Sequence, residues 1–203
     1  TSSWFEINQI NLSYSVAKKT KKMYVGVGNY EILSYIESTG TQYIDTNFNT
    51  TTAMKFVADI SYTSFYGDDY DWFMGNRQAN TNWLAGYYGG KTCFWSSSSS
   101  YRYGGTISAG TRTTITTDFK TQKFTGAGTS ADLATPSPST YPVRLFIGNA
   151  ATFSKSPKCR CYGVKVYEND ILTHNLMPAR RITDKALGLY DSIANVFYTN
   201  KGT

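Results

Sequence analysis

The chain has 203 residues and a formal charge of +6, long enough for one large β domain with an appendage. It holds no run of 18 apolar residues, which excludes a helical membrane span, and no charged–apolar–small leader opens it at Thr1. Its 17 Tyr, 11 Phe and 4 Trp, set against only four Glu, suit strands and aromatic-lined surfaces rather than long amphipathic helices.

Residues 1–30 read as a β arm, separate from a domain spanning 31–203. Trp4, Phe5 and the apolar residues up to Tyr14 load the arm with more hydrophobic surface than a solvated tail carries. Lys18, Lys19, Lys21 and Lys22 form a basic connector, and Tyr24 lies in a short strand that ends in a turn at Gly28. No nucleic-acid motif accompanies the lysines, so they read as a solvated loop; the strands of the arm are expected to pair with the main domain, with another subunit or with other proteins of a virion or surface assembly. Homo-oligomerisation stays open.

Residues 31–63 give three strands. In the last, Met54, Phe56, Ala58, Ile60 and Tyr62 share one face, with Lys55, Asp59 and Ser61 on the other, the pattern of a sandwich strand with one wet side. Residues 64–110 carry more aromatics than one core can absorb, interleaved with Gly and Ser. Trp72, Trp83, Tyr87, Tyr88, Trp95, Tyr101 and Tyr103 are the candidate ligand residues. Flat aromatic faces match the apolar faces of a pyranose and polar neighbours match its hydroxyls, so the expected ligand is a glycan. Half of the aromatics in this stretch belong to the core on the same alternation.

Asp68, Asp69 and Asp71 crowd one loop beside Trp72. They could begin a Ca²⁺ site, since that ion takes six to eight oxygens. A soluble hairpin tip is favoured, because no calcium-loop spacing follows, and no cofactor is expected.

Arg112 to Phe119 is a Thr-rich strand, turning through Lys120-Thr121-Gln122. Residues 125–142 form a Pro-rich surface loop, after which Val143, Leu145 and Ile147 resume a buried strand. From Cys159 onward, Tyr162, Val164 and Val166 alternate with Gly163, Lys165 and Tyr167 as a half-buried strand. Glu168-Asn169-Asp170 turns the chain into a partner strand that Pro178 should end, because proline has no N–H for the ladder. Leu187–Asp191 and Asn195–Tyr198 make a last hairpin. Cys93, Cys159 and Cys161 are an odd number and form no disulfide framework. Cys159 and Cys161 share a strand face; a bridge from Cys93 to either is left open.

The stretches Tyr35–Thr46, Phe73–Arg77, Leu145–Asn149 and the final run VKVYEND, MPARR, GLYD and FYTN together resemble a laminin-G-like, concanavalin A-like jelly-roll domain. That version occurs in secreted and surface proteins of gut bacteria and in phage virion proteins. The resemblance covers residues 31–203 and implies an all-β, two-sheet antiparallel jelly-roll sandwich with the N-terminal β arm outside it. It also implies a place on a virion or cell surface and a glycan as partner. Arg180 and Arg181 match its paired arginines and read as structural ion-pair partners of Asp184 and Asp191.

The glucanases of that superfamily set carboxylates on alternating residues of one strand. Here the triplet is missing, and only Asp69/Asp71 and Glu168/Asp170 come near it. No nucleophile elbow or P-loop is present, and His174, the one His, has no acid beside it in sequence. The expected function is therefore a non-catalytic glycan-binding domain. The alternative is a purely structural virion decoration, head-fibre or tail protein, and a glycoside hydrolase is the weaker third.

Overall fold

The computed structural model describes residues 26–66, 70–76, 83–96, 99–133, 141–147 and 156–202. Asp68, Asp69 and the arm residues Trp4, Phe5, Lys18, Lys19, Lys21, Lys22 and Tyr24 lie outside these. The described residues form seventeen strands in two antiparallel sheets and no helix.

The larger sheet contains β1 (Gly26–Val27), β2 (Tyr30–Ile32), β3 (Ile36–Ser38), β5 (Met54–Tyr62), β10 (Arg112–Asp118), β11 (Lys123–Gly126) and β12 (Thr129–Asp132). It is completed by β14 (Cys159–Glu168), β15 (Ile171–Arg181), β16 (Leu187–Asp191) and β17 (Val196–Thr199). The smaller sheet runs in the order β4 (Ile44–Asn49), β13 (Pro142–Leu145), β6 (Asp71–Asn76), β7 (Trp83–Tyr88), β8 (Lys91–Ser96) and β9 (Ser99–Thr106). All pairings are antiparallel, as expected where one face of each sheet meets a shared core.

Strand β5 anchors the larger sheet between β14 and β10. Its inward set, Met54, Phe56, Ala58, Ile60 and Tyr62, is buried as the alternation requires. Phe56 meets Trp83 of the opposite sheet at 5.1 Å, and Phe119 packs edge-on against Trp83 at the same distance. The Trp83 indole N–H donates to Thr50 Oγ at 2.9 Å, so the ring is buried with its one polar atom satisfied.

Both edge strands of the smaller sheet meet the larger one. At one, Ile44 bridges Asn200 and the Tyr43 carbonyl accepts from Lys201 N at 2.8 Å. At the other, β9 lies backbone on backbone against β11 and its turn. A Cβ at Gly104 would fall 2.7 Å from the Gly126 carbonyl, and one at Gly105 2.4 Å from that of Ala127, so only glycine fits there.

Several expectations change. Glu31 lies within β2, which pairs with β1 and with β15, so residues 26–30 are part of the larger sheet. Residues 31–63 hold four strands, not three. Part of the 125–142 loop is strand, since β12 pairs with β11. Pro178 does not end its strand: β15 continues to Arg181. Its ladder to β14 is recorded up to Leu176 and that to β2 begins at Ala179, so the missing N–H falls at the seam, while the Pro178 carbonyl accepts from Leu33 N at 2.8 Å.

Arg181 pairs with Asp184 as expected, but Arg180 pairs with Glu31, tying β15 to β2. Asp191 instead meets His174, whose Nδ1 is 2.6 Å from its Oδ2, so the lone histidine does have an acid beside it. Strand alternation brings them together across β15 and β16, seventeen residues apart. The His174 ring stacks on Phe48 at 4.4 Å. Asp191 is fully buried and also accepts from the backbone N–H groups of Asn175, Ile193 and Ala194. Burial alone would raise its pKa; the bonds from Asn175, His174, Ile193 and Ala194 outweigh that and hold it below the ordinary carboxylate value.

Asp191 thus fixes the last hairpin to the sheet. Asp191→Ala should cost about 2–3 kcal/mol, roughly 5–10 °C in a thermal melt. A folded-state pKa below the unfolded value of about 3.9 means that the wild type holds this contribution fully above that pH and loses it as pH falls through the lower value. The stability gap between wild type and Asp191→Ala should therefore shrink below about pH 4, measured by denaturant titration at stepped pH.

Candidate functional site

Each strand of the smaller sheet has a second face, pointing away from the core. On β7 the alternation is strict: Trp83, Ala85 and Tyr87 enter the main core, while Leu84 and Tyr88 belong to a separate outer cluster. On β8, Phe94 faces inward, and Cys93 and Trp95 face outward. Trp72, Leu84, Cys93 and Ile147 are buried beneath half-buried Tyr70, Tyr88, Trp95 and Tyr101. Tyr103, opposite Cys93 on β9, is 39% exposed at the rim.

A β-bulge makes this face. Between Trp72 and Met74 the register of β6 against β7 slips by one residue, so that Phe73 and Met74 both enter the core while Trp72 remains outside. The bulge presses the β6 backbone against Gly86. A Cβ there would sit 2.4 Å from the Asp71 carbonyl and 2.8 Å from Trp72 Cα. Between Leu84 and Tyr88, Gly86 therefore meets the β6 backbone directly where a side chain would otherwise stand.

The outer rings run near-parallel. Tyr70 and Tyr88 stack at 4.5 Å between centroids, and Tyr88 and Tyr101 at 5.0 Å. Tyr70 lies within 9° of the Trp72 plane, and Tyr101 within 5° of it. Tyr101 OH donates to Tyr70 OH at 2.8 Å. Burial, then the neighbouring Tyr70 hydroxyl, pushes the Tyr101 phenol well above its ordinary pKa, and burial also raises Tyr103. Both stay neutral around physiological pH, able to donate and accept hydrogen bonds. Lys91 places its ammonium 5.8 Å over the Tyr103 ring.

Of the seven aromatics expected to bind ligand, the structure brings together Trp72, Tyr88, Trp95, Tyr101 and Tyr103. Trp72, only 3% exposed, is the floor rather than a contact surface. Trp83 and Tyr87 are corrections: both are core residues, Trp83 at 1% exposure and Tyr87 stacked on Phe65 at 3.8 Å. Their odd positions on β7 put them on the face opposite Tyr88. Tyr70 and Lys91 are additions; Tyr70 shares the parity of Trp72, which was the available signal.

Asp71 is also corrected. It is a fully buried residue of β6, whose carboxylate accepts from Tyr66 N at 3.1 Å and whose carbonyl accepts from Tyr62 OH at 2.7 Å. Its Oδ2 is thus held within the fold, while Asp68 and Asp69, the other residues of the calcium expectation, lie outside the described residues. Among the described residues no three His, Cys, Asp or Glu side chains converge as metal ligands. Glu168 accepts from Thr51, and Asp170 pairs with Lys55 and Lys120, so this second carboxylate pair is held by turn contacts.

All three cysteines are free. Cys159 and Cys161 face the main core, while Cys93 lies on the outer side of the smaller sheet, so the sheet itself separates it from them. The chain matches no known family model, no curated protein and no solved structure.

Burial pushes the thiols of Cys93 and Cys161 up to about 12, and that of Cys159 well above its usual value. The native protein should therefore react negligibly with a thiol reagent at pH 8, and the denatured protein should release three equivalents. A prompt single equivalent from the native state would show that the outer cluster opens over Cys93.

Proposed function

We propose that this chain is a non-catalytic glycan-binding domain of the laminin-G-like, concanavalin A-like jelly-roll type, displayed on a virion or bacterial surface. The observation that carries the reading is the aromatic outer face of the smaller sheet. A solvent-facing sheet surface is ordinarily polar, yet here Tyr70, Tyr88, Trp95, Tyr101 and Tyr103 cover it. Tyr103 offers aromatic surface at its margin and half-buried Trp95 within it, and the tyrosine hydroxyls offer donors and acceptors to sugar hydroxyls. A shallow face of this kind binds weakly, so multiple display supplies the avidity. In the same reading, the N-terminal residues up to 25 attach the domain to its assembly.

The test is a glycan array probed with a multivalent form of the protein. Binding should fall at least about tenfold on Tyr103→Ala or Trp95→Ala, a loss of about 1.4 kcal/mol, with the melting temperature little changed for the exposed Tyr103 and the domain still folded for Trp95. Trp83→Ala should instead unfold the domain, at about 3–5 kcal/mol for a buried tryptophan. An array that stays blank would overturn the reading and leave the structural-protein alternative.

A further inference from the structure

The larger sheet carries a pit on its outer face, on the far side of the sandwich from the aromatic surface. On β14, Cys161 and Val164 both face the core, so two consecutive residues, Tyr162 and Gly163, lie between them. A second bulge, between Cys161 and Gly163 against β5, makes room for the extra residue. Tyr162 thereby leaves the buried set that simple alternation with Val164 and Val166 assigns it. Its ring lies 4.0 Å from the Arg112 guanidinium and 5.8 Å from the Tyr35 ring. Gly163, beside it, contributes no side chain, and the gap is a pit of about 460 Å³.

Val57 and Gly163 line the pit together with Tyr162 and Met177, an apolar set. Its polar lining is Asp59, Thr114, Lys165 and Asn175. Arg112 holds Asp59 through two bonds, of 2.8 and 2.5 Å, which neutralises that carboxylate. Asn175 donates its side-chain N–H to Ser192, leaving its amide oxygen as an acceptor. Lys165 is exposed and, among the described residues, has no carboxylate partner. The uncompensated charge at the pit is therefore one ammonium, set among a hydroxyl, an amide and an apolar wall.

We propose that this pit is a second binding site, taking one acidic saccharide unit: Lys165 meets its carboxylate, Thr114 and Asn175 its hydroxyls, and the Val57–Tyr162–Met177 surface the apolar side of its ring. The volume falls within the range of small-molecule sites, and the lining joins an apolar wall to several polar groups. Two sites on opposite sheets would let a single domain engage two glycan segments at once.

The experiment is calorimetric titration of the full chain with glucuronate, with methyl glucoside and acetate as the neutral-ring and ring-free probes. Glucuronate should bind saturably and more tightly than either. Lys165→Met should weaken it at least about tenfold. Thr114→Trp, a change at an exposed position that fills the pit, should abolish it, and Trp95→Ala should leave it unchanged. The inference is overturned if glucuronate shows no saturable binding, if neither Lys165→Met nor Thr114→Trp alters it, or if acetate or methyl glucoside binds as tightly. A loss with Trp95→Ala alone would move acidic-sugar binding to the aromatic face and likewise overturn the second site.

Discussion

The contact of Phe56 with Trp83 fixes how the two sheets face each other. Phe56 lies on β5, the strand from which the larger sheet extends on both sides, and Trp83 begins β7, near the middle of the smaller one. Phe119, at the end of β10, closes on both rings. Once Trp83 is inward, alternation decides the rest of β7: Ala85 and Tyr87 follow it, and Leu84, Gly86 and Tyr88 go outward. A one-residue slip of that strand would bury Tyr88 and expose the indole. The Trp83 bond to Thr50, which also accepts from Asn76 at 3.0 Å, opposes such a slip with a buried polar contact that only one register satisfies.

Closure of the edges follows from the same packing. Two sheets whose inner faces are filled with aromatics leave exposed ladders at their sides unless something covers them. Here the C-terminal segment reaches across to β4, and the glycines of β9 let its backbone lie directly on that of β11. The outer face of the smaller sheet is thus the part of that sheet left to vary, and it carries tyrosine and tryptophan where charged residues would keep a passive sheet soluble. The outer face of the larger sheet shows the ordinary solution, with the pairs Lys123–Asp132, Arg112–Asp59 and Arg160–Glu37 along it.

Much of this was legible in the sequence wherever alternation ran without interruption. Met54 to Tyr62 is buried as its period of two requires, and the β10–β11 turn and the final hairpin fall where turn residues place them. Where the structure differs, the causes are separate. Composition groups Trp83 and Tyr87 with Tyr88, although parity along a single strand separates them. Parity groups Tyr162 with Val164 and Val166, although an inserted residue breaks it. His174 and Asp191 meet through cross-strand register, which no local spacing reveals, and Asp71 looked like a loop acid because nothing nearby in the chain shows that Tyr66 caps it.

The same insertions that defeat a period-two reading are what build the two candidate sites. In β6 the extra residue sends both Phe73 and Met74 into the core, and the backbone it displaces is accommodated by Gly86 on the neighbouring strand. In β14 the extra residue keeps both Tyr162 and Gly163 outside, one as a wall and the other as a gap. In each case a large aromatic is set beside a glycine: at Gly86 the space is taken by the β6 backbone, and at Gly163 it stays open as the pit. A bulge displaces one residue while leaving the flanking ladder intact, and β6 and β14 both resume regular pairing within two residues. The sandwich can therefore carry an irregular outer surface on either sheet while the Phe56–Trp83 core between them stays regularly packed.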